Sequence, residues 1–160
     1  MIGPPADPKD DARVLKLFFA KEGSHICCGG STAHMISRYL NKPIIPVEDS
    51  GTEKVPAIAT IDGMDLVTEG IITLQQVADL AEQYVSDNRL SITINSGNDG
   101  VSLLCAYLFE QATDINFFFG KAENTANDDL DIGMDAKAIV INRLISSLRE
   151  MGKNVKISRC

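Results

Sequence analysis

The 160-residue sequence predicts one α/β domain, residues 1–160, with a layered, mostly parallel, Rossmann-like sheet flanked by about five helices. Three observations lead to this prediction. Short apolar segments alternate with segments of helical periodicity, glycine-rich turns separate them, and no internal repeat or low-complexity linker divides the chain. A hydrophobic content of 44% suits one ordinary domain, which at this length buries roughly 68–70% of its unfolded surface.

The predicted helices have apolar residues at every third or fourth position, with polar residues between them. They cover residues 10–22, 32–40, 73–85, 101–109 and 135–151. Asn41 follows the second of these segments and Gly152 ends the last. Thr73 precedes Gln76 by three residues, which is the spacing of a capping box, so Thr73 is the predicted N-cap of the third helix. Asp99 is the predicted N-cap of the fourth helix.

The predicted strands are short apolar segments between the helices, at residues 26–28, 57–61, 115–119 and 155–157. Residues 43–47 are predicted to be extended, and the two prolines among them place this segment at a sheet edge or outside the ladder. Residues 66–67 are predicted to follow the second strand in a turn. Residues 91–94 fit a short strand or a loop, residues 95–100 a turn, and residues 123–133 an acidic loop.

Composition and net charge argue against several classes of partner and binding site. The net charge of −7 argues against nucleic acid or an anionic membrane as the main partner, because either would repel most of the surface. Four cysteines, none of them in a Cys-x-x-Cys pair, and two histidines indicate neither a disulfide framework nor a zinc site. We expect no signal peptide, because the residues after Met1 are neither basic nor followed by an apolar segment, and the apolar runs are too short to span a membrane. It therefore predicts a cytoplasmic protein.

The junction between the first strand and the second helix carries the strongest functional signal. Here Cys28 leads through Gly29 and Gly30 to Ser31 and Thr32 at the predicted helix start. Glycines leave backbone N–H groups uncovered by any Cβ, and a helix N-terminus aims free N–H groups and its positive dipole end at the turn. These residues are the predicted binding site for a small anionic ligand. The alternative is a tight connection in which Ser31 or Thr32 only caps the helix.

A second candidate site is the turn that contains Asp62 and Asp65, followed by Thr68 and Glu69. Carboxylates at this spacing can converge on a hard cation, so Asp62 and Asp65 are the predicted ligands of Mg²⁺ or Mn²⁺. Strand carboxyl ends meet at one edge of an open α/β sheet, so we expect this turn to share a cleft with Gly29. Thr68 and Glu69 are then ligand-binding residues too. The alternative is a solvated connection.

Two further features leave alternatives open. Cys28 at a helix N-terminus could be a nucleophile of lowered pKa, but neither His25 nor His34 is placed by sequence as its base, and a buried structural cysteine is the other interpretation. The acidic residues at positions 128, 129 and 131 are either a solvated loop or a cation site.

Four motifs occur in an order that resembles a known family. They are Gly3-Pro4-Pro5, Cys28-Gly29-Gly30-Ser31-Thr32-Ala33, Asp65-Leu66-Val67-Thr68-Glu69-Gly70 and Ala112-Thr113-Asp114-Ile115-Asn116-Phe117-Phe118. This pattern is similar to the region that follows the catalytic domain in some bacterial serine/threonine phosphatases of the stage II sporulation protein E type. The resemblance covers nearly the whole chain.

The resemblance implies a C-terminal extension whose partner is a phosphatase catalytic domain that is metal-dependent. No position in this chain matches the family's metal-binding aspartates, so the resemblance carries over no catalytic residue. The expected function is a non-catalytic regulatory or ligand-sensing domain. The alternatives are a free-standing enzyme that acts on a nucleotide or phosphorylated metabolite, and a module that forms a homodimer.

Overall fold

The described part of the chain, residues 1–51, 57–87, 97–121 and 134–160 of a computed structural model, contains five α-helices and six strands. The helices are α1 Asp11–Phe19, α2 Gly30–Leu40, α3 Ile71–Ser86, α4 Gly100–Cys105 and α5 Met134–Glu150. A 3-10 turn at Pro8–Asp10 precedes α1, and a π-helical segment at Ala106–Gln111 continues α4. The strands are β1 Ile26–Cys28, β2 Ile45–Pro46, β3 Ala59–Thr60, β4 Leu66–Thr68, β5 Asp114–Phe119 and β6 Asn154–Arg159.

The strands form two sheets. The first has the order β1-β4-β3-β2, in which β1 and β4 are parallel while β3 pairs antiparallel with both β4 and β2. The second contains β5 and β6, which are parallel over their whole length. The α/β class is therefore confirmed, but the prediction of one Rossmann-like, mostly parallel layered sheet is wrong. The chain reverses direction between β2 and β3 and again between β3 and β4, and no crossover helix occurs among the described residues there, as is typical of antiparallel pairing.

The two sheets meet at Ile2, which bridges to Cys28 on one side and to Phe119 on the other. The Ile2 N–H donates to Phe118 O at 2.8 Å, and Gly120 N–H donates to Ile2 O at 2.9 Å. On the opposite side, Cys28 N–H donates to the carbonyl of Met1 at 3.0 Å. These isolated bridges form the only strand-like link between the two sheets within the described residues.

The chain crosses closely over the end of β5 just after Ile2. A Cβ atom on Gly120 would collide with the carbonyl oxygens of Gly3 and Pro4. Glycine at position 120 is therefore required by the close approach of these two backbone segments.

The core consists of two clusters, because neighbouring residues of a strand point to opposite sides. In β1, Cys28 packs in the larger cluster with α3, α4 and α5, whereas Cys27 packs in the smaller cluster with α1 and α2. In β4, Leu66 and Val67 divide in the same way. Adjacent positions of one short strand thus serve both clusters.

Most of the predicted elements are confirmed. All five predicted helices occur, the fourth continuing as the π-helical segment after Cys105, and so do the strands at 26–28, 115–119 and 155–157, the edge position of β2 and the Asp99 N-cap. The predicted strand at 57–61 is reduced to the two residues of β3. Residues 66–67, predicted as a turn, belong to the buried strand β4. Residues 91–94 and 123–133 lie outside the described residues.

The π-helical segment ends against a lysine from the other end of the chain. The Lys153 ammonium donates to Phe109 O and to Ala112 O, each at 2.7 Å. These carbonyls lie at the end of a helical segment, where backbone acceptors lack helical partners. Lys153 therefore joins the end of α4 and its extension to the start of β6.

Replacing Lys153 by Met removes both of these charge-assisted hydrogen bonds while keeping most of the aliphatic stem. We expect a loss of about 1.5–3 kcal/mol in the free energy of unfolding, measured by urea denaturation. Lys156→Met is the matched control, because Lys156 is exposed on β6. Equal losses in the two variants would contradict a specific role of Lys153.

Candidate functional site

The glycine turn begins where β1 ends. Gly29 is the N-cap of α2 with φ 118° and ψ 136°, and no side chain caps this helix. A positive φ favours glycine, since a Cβ would be strained there. The Gly29 N–H donates to Thr68 O at 3.0 Å, and its carbonyl accepts from Ala33 N–H at 2.9 Å as the first bond of the helix.

A second helix begins beside the first. Gly70 is the N-cap of α3, a helix of 16 residues that also has no side-chain cap. Because β1 and β4 are adjacent parallel strands, with Cys28 opposite Thr68, both helices start at the same edge of the sheet. A Cβ on Gly70 would lie 3.5 Å from the Cα of Gly29. We call the edge formed by Gly29, Gly30, Ser31, Gly70 and Ile71 the glycine mouth.

Sequence reasoning missed the contribution of α3 to this edge. The prediction that Thr73 caps the helix is wrong, because α3 begins two residues earlier and Thr73 is its third residue. Thr73 is fully buried, and its hydroxyl has no hydrogen-bond partner among the described residues. A signal was present in the sequence: Gly70 comes shortly after the apolar pair Leu66-Val67 and directly before Ile71, much as Gly29 comes after the apolar residues of β1.

The predicted ligand-binding residues divide into exposed and buried groups. Gly30, Ser31 and Glu69 are exposed at the glycine mouth. Thr32 is fully buried, and its Oγ1 accepts the N–H of Gly3 at 2.8 Å. Thr68 is buried as well, and its hydroxyl donates to the carbonyl of Glu69 at 2.9 Å. The two threonine hydroxyls therefore make internal hydrogen bonds.

The turn that contains Asp62 and Asp65 lies at the opposite end of these strands from Gly29. Asp65 N–H donates to His25 O at 2.9 Å, and the Asp65 carboxylate accepts the N–H of His25 at 2.6 Å. His25 precedes β1, so this pair lies at the amino ends of β1 and β4. The prediction that Asp65 shares a cleft with Gly29 is wrong, because Asp65 directly precedes β4, which runs parallel to β1, whereas Gly29 follows the carboxyl end of β1.

The two predicted metal ligands have other partners. Asp62 forms an exposed ion pair with Lys42 at 2.8 Å, and this hydrogen bond lowers the pKa of the Asp62 carboxyl. The Asp65 carboxylate accepts the backbone N–H of His25. Across the described ranges there is no group of three or more His, Cys, Asp or Glu side chains that could hold a metal ion. The acidic positions 128, 129 and 131 lie outside the described residues.

The environment of Cys28 disfavours the thiolate. Cys28 is buried, and burial raises the pKa of its thiol against the smaller opposing effects of the Met1 amino group and the Thr68 hydroxyl. Cys27 is also buried, which raises its pKa to about 12. His25 lies at the far end of β1, where its Nε2 is 3.2 Å from Phe18 O. This arrangement fits buried structural cysteines.

Comparisons of this chain with protein-family profiles, curated proteins and solved structures found no match. The resemblance to an extension of stage II sporulation protein E-type phosphatases therefore stays a prediction. None of the helices described in the chain is both long and apolar enough to cross a bilayer. What the structure defines is an α/β domain with two uncapped helix N-termini at neighbouring strand ends.

The contribution of the buried Thr32 hydrogen bond to stability can be measured separately from any contribution of Ser31. Thr32→Val keeps the side-chain volume but leaves the Gly3 N–H without its acceptor, so we expect a loss of about 1–3 kcal/mol in the free energy of unfolding. Ser31→Ala, at the adjacent exposed position, should change it by no more than about 0.5 kcal/mol. Urea denaturation of both variants measures the difference. A larger effect at Ser31 would show that Ser31, not Thr32, supports the helix start.

Proposed function

We propose that this chain is a non-catalytic domain that binds a small phosphorylated ligand at the glycine mouth. The observation that carries the proposal is the convergence of the N-termini of α2 and α3, each with a glycine N-cap and no capping side chain. The first N–H groups of a helix lack intrahelical partners, and the dipole gives this end a partial positive charge. Two such ends beside one another favour an anion more strongly than one.

The surroundings of the glycine mouth add two constraints on the ligand. Glu69 is exposed directly before Gly70, and its carboxylate opposes the binding of a bare anion. Ile72, the second residue of α3, is 49% exposed and offers an apolar contact. A ligand that combines a phosphate with an apolar or aromatic group and with hydroxyls for Glu69 fits these residues best. A nucleotide has this composition.

We further propose that ligand occupancy regulates a phosphatase catalytic domain. The support for this step is the resemblance of the four sequence motifs to the extension of such phosphatases. The same edge of the domain would then act as a sensor, because the ligand would order the first turns of α2 and α3 together. Regulation requires that the ligand bind two states of the whole protein with different affinities.

An independent enzymatic function has less support. Cys28 is buried with a raised pKa, and the carboxylates of Asp62 and Asp65 are engaged by Lys42 and by the backbone N–H of His25. Formation of a homodimer also has less support, because no contact among the described residues indicates a dimer interface.

Binding at the glycine mouth can be tested by titrating inorganic phosphate and a nucleoside triphosphate while recording amide NMR spectra. We expect saturable shifts of the Gly30, Ser31, Ile71 and Ile72 amides. At a ligand concentration of 100 Kd, the free energy of unfolding should rise by about 2.7 kcal/mol. Binding without these shifts would locate the ligand elsewhere and contradict the proposal, and so would the absence of binding.

Charge variants sharpen this test. A Cβ on Gly30 would meet no atom within 4 Å, so Gly30→Glu should fold while its carboxylate weakens phosphate binding at least about tenfold. Gln75→Glu adds the same charge at an exposed position of α3 beyond its first turn and serves as the control. Glu69→Gln should tighten the binding of inorganic phosphate. Equal weakening by Gly30→Glu and Gln75→Glu would indicate a response to net charge alone.

The purified chain should not hydrolyse p-nitrophenyl phosphate in the presence of Mn²⁺. Metal-dependent hydrolysis needs bound ions to generate the nucleophile and to stabilise developing charge. The assay compares the chain with its Asp65→Asn variant. Turnover that Asp65→Asn abolishes would overturn the non-catalytic assignment and favour the enzyme.

A further inference from the structure

The strand β6 forms the outer edge of the second sheet. On its inner side it pairs with β5 over all six of its residues. The other side of β5 is occupied by Ile2, which bridges to Phe119. No strand among the described residues pairs with the outer side of β6. Such an edge presents backbone groups on which another chain can form a further strand.

The hydrogen bonds to β5 identify the backbone groups of β6 that point outward. Asn154 N–H donates to Thr113 O at 2.9 Å, and Cys160 N–H donates to Phe119 O at 3.0 Å. Because the backbone groups of successive strand residues point alternately to the two sides, the even-numbered residues of β6 face β5. The residues whose backbone groups face outward are Val155, Ile157 and Arg159.

Two of these outward residues have unpaired backbone groups. Arg149 of α5 donates to Val155 O at 3.2 Å and so occupies one outward carbonyl. Within the described part of the chain, the N–H and carbonyl groups of Ile157 and Arg159 have no hydrogen-bond partner, and both residues are exposed. Each of them therefore offers one donor and one acceptor to an added strand.

A groove between β6 and α5 lies beside these backbone groups. Its lining residues are Asn142, Ile145, Ser146, Arg149, Glu150 and Ile157. Ile145 is buried, whereas Ile157 is 38% exposed and can contact a ligand. The side chains of a strand alternate between its two faces, so every second side chain of an added strand would lie on the α5 side. Apolar side chains at these positions would pack against Ile145 and Ile157.

The surface around this edge is basic. Arg149, Lys156 and Arg159 are exposed, and among the described residues none of them forms an ion pair. Glu150 is the acidic residue in the lining of the groove. The whole chain carries a net charge of −7, so this positive surface is a local exception. Because salt screens charges beyond about 10 Å at 0.1 M, the nearby cations decide which charge is favoured here.

The same cations disfavour a second copy of β6 as the occupant. Pairing of two β6 strands would bring Lys156 and Arg159 of both copies onto one short ladder, where like charges destabilise a sheet. An extended segment with alternating apolar and acidic side chains suits the groove, the basic surface and the unpaired backbone groups together.

We propose that the outer edge of β6 binds an extended acidic segment of a partner protein, which adds a strand to the β5–β6 sheet. The apolar side chains of the segment pack in the groove against Ile145 and Ile157. Its acidic side chains lie on the opposite face, beside Lys156, because Lys156 and Ile157 point to opposite faces of β6. The glycine mouth takes no part in this binding, so the inference goes beyond the proposed function.

The probe is the acetylated and amidated heptapeptide Glu-Val-Glu-Ile-Glu-Val-Glu, added to the full chain. We expect saturable binding that slows hydrogen exchange of the Ile157 and Arg159 amides at least about tenfold. The Lys156 and Ser158 amides, which face β5, are the internal reference. The control peptide Lys-Val-Lys-Ile-Lys-Val-Lys should bind at least about tenfold more weakly. Absence of binding, or equal binding of the two peptides, would overturn the proposal.

Backbone methylation of the probe distinguishes strand addition from attraction between charges alone. One peptide is N-methylated at Val and Ile, and the other at Glu. Only alternate residues of an added strand donate to β6, so one pattern should weaken binding at least about tenfold while the other leaves it intact. Loss with methylated Val and Ile indicates an antiparallel strand, and loss with methylated Glu a parallel one. Equal effects of the two patterns would contradict strand addition.

A variant of the chain tests the same edge from the other side. Ile157→Pro removes one outward N–H, which a strand edge tolerates because this group does not bond to β5. Ile157→Ala is the matched control, since it removes the side chain and keeps the N–H. We expect Ile157→Pro to weaken binding of the acidic heptapeptide at least about tenfold more than Ile157→Ala does. Equal binding by the two variants would overturn the proposal.

A second copy of the chain gives a different result. It would protect the Ile157 amide without any peptide and increasingly with protein concentration, and this outcome would also overturn the proposal. If Ile157→Pro does not fold, the methylated peptides test the same hydrogen bonds on the unmodified chain. None of these measurements involves phosphate, so failure here is distinguishable from failure of the glycine mouth.

Discussion

The parallel pairing of β1 with β4 is the constraint on which the candidate site depends. It aligns Cys28 with Thr68, so the residues that follow them, Gly29 and Glu69, leave the sheet at the same edge. The helices that start there are held by the clusters on the two sides of these strands. Glycine is required at position 29 by its positive φ, whereas a Cβ on Gly70 would make an ordinary van der Waals contact with the Gly29 Cα at 3.5 Å. The apolar packing of the helices therefore brings their polar ends together.

The two edges of the same strand pair have different chemistry. At the carboxyl ends, α2 and α3 begin without a capping side chain, and the nearby threonine hydroxyls are engaged inside the fold. At the amino ends, Asp65 is bonded to the backbone of His25, and the His25 ring packs on Phe18 and Phe19. Asp65 therefore links the start of β4 to the start of β1. The Asp65 carboxylate at the amino ends therefore has a structural role, whereas the proposed ligand would bind at the carboxyl ends of the same two strands.

Local patterns predicted most of the elements, because helical periodicity and short apolar runs depend on nearby residues. The glycine turn could be predicted for the same reason, since strand, glycines and helix are contiguous from Ile26 to Leu40. The pairing of the strands could not be predicted from local patterns. Local patterns do not show that residues 66–67 form a strand parallel to β1, and because Asp65 directly precedes that strand, it lies at the amino ends of the pair and not beside Gly29. The role of Gly70 was missed because Thr73 and Gln76 offered a local capping pattern that tertiary packing overrode.

Ile2 has a consequence for the order in which the molecule folds. Its bridges join residues 2 and 28 and residues 2 and 119, so the second contact closes a loop of more than a hundred residues. Loop-closure entropy makes such contacts slow to form, and they become favourable only once both partners are already ordered. The β1–β4 pair is much closer in sequence and can form before this junction, as can the unit of β5, α5 and β6. The Ile2 junction should therefore close only after both units are ordered.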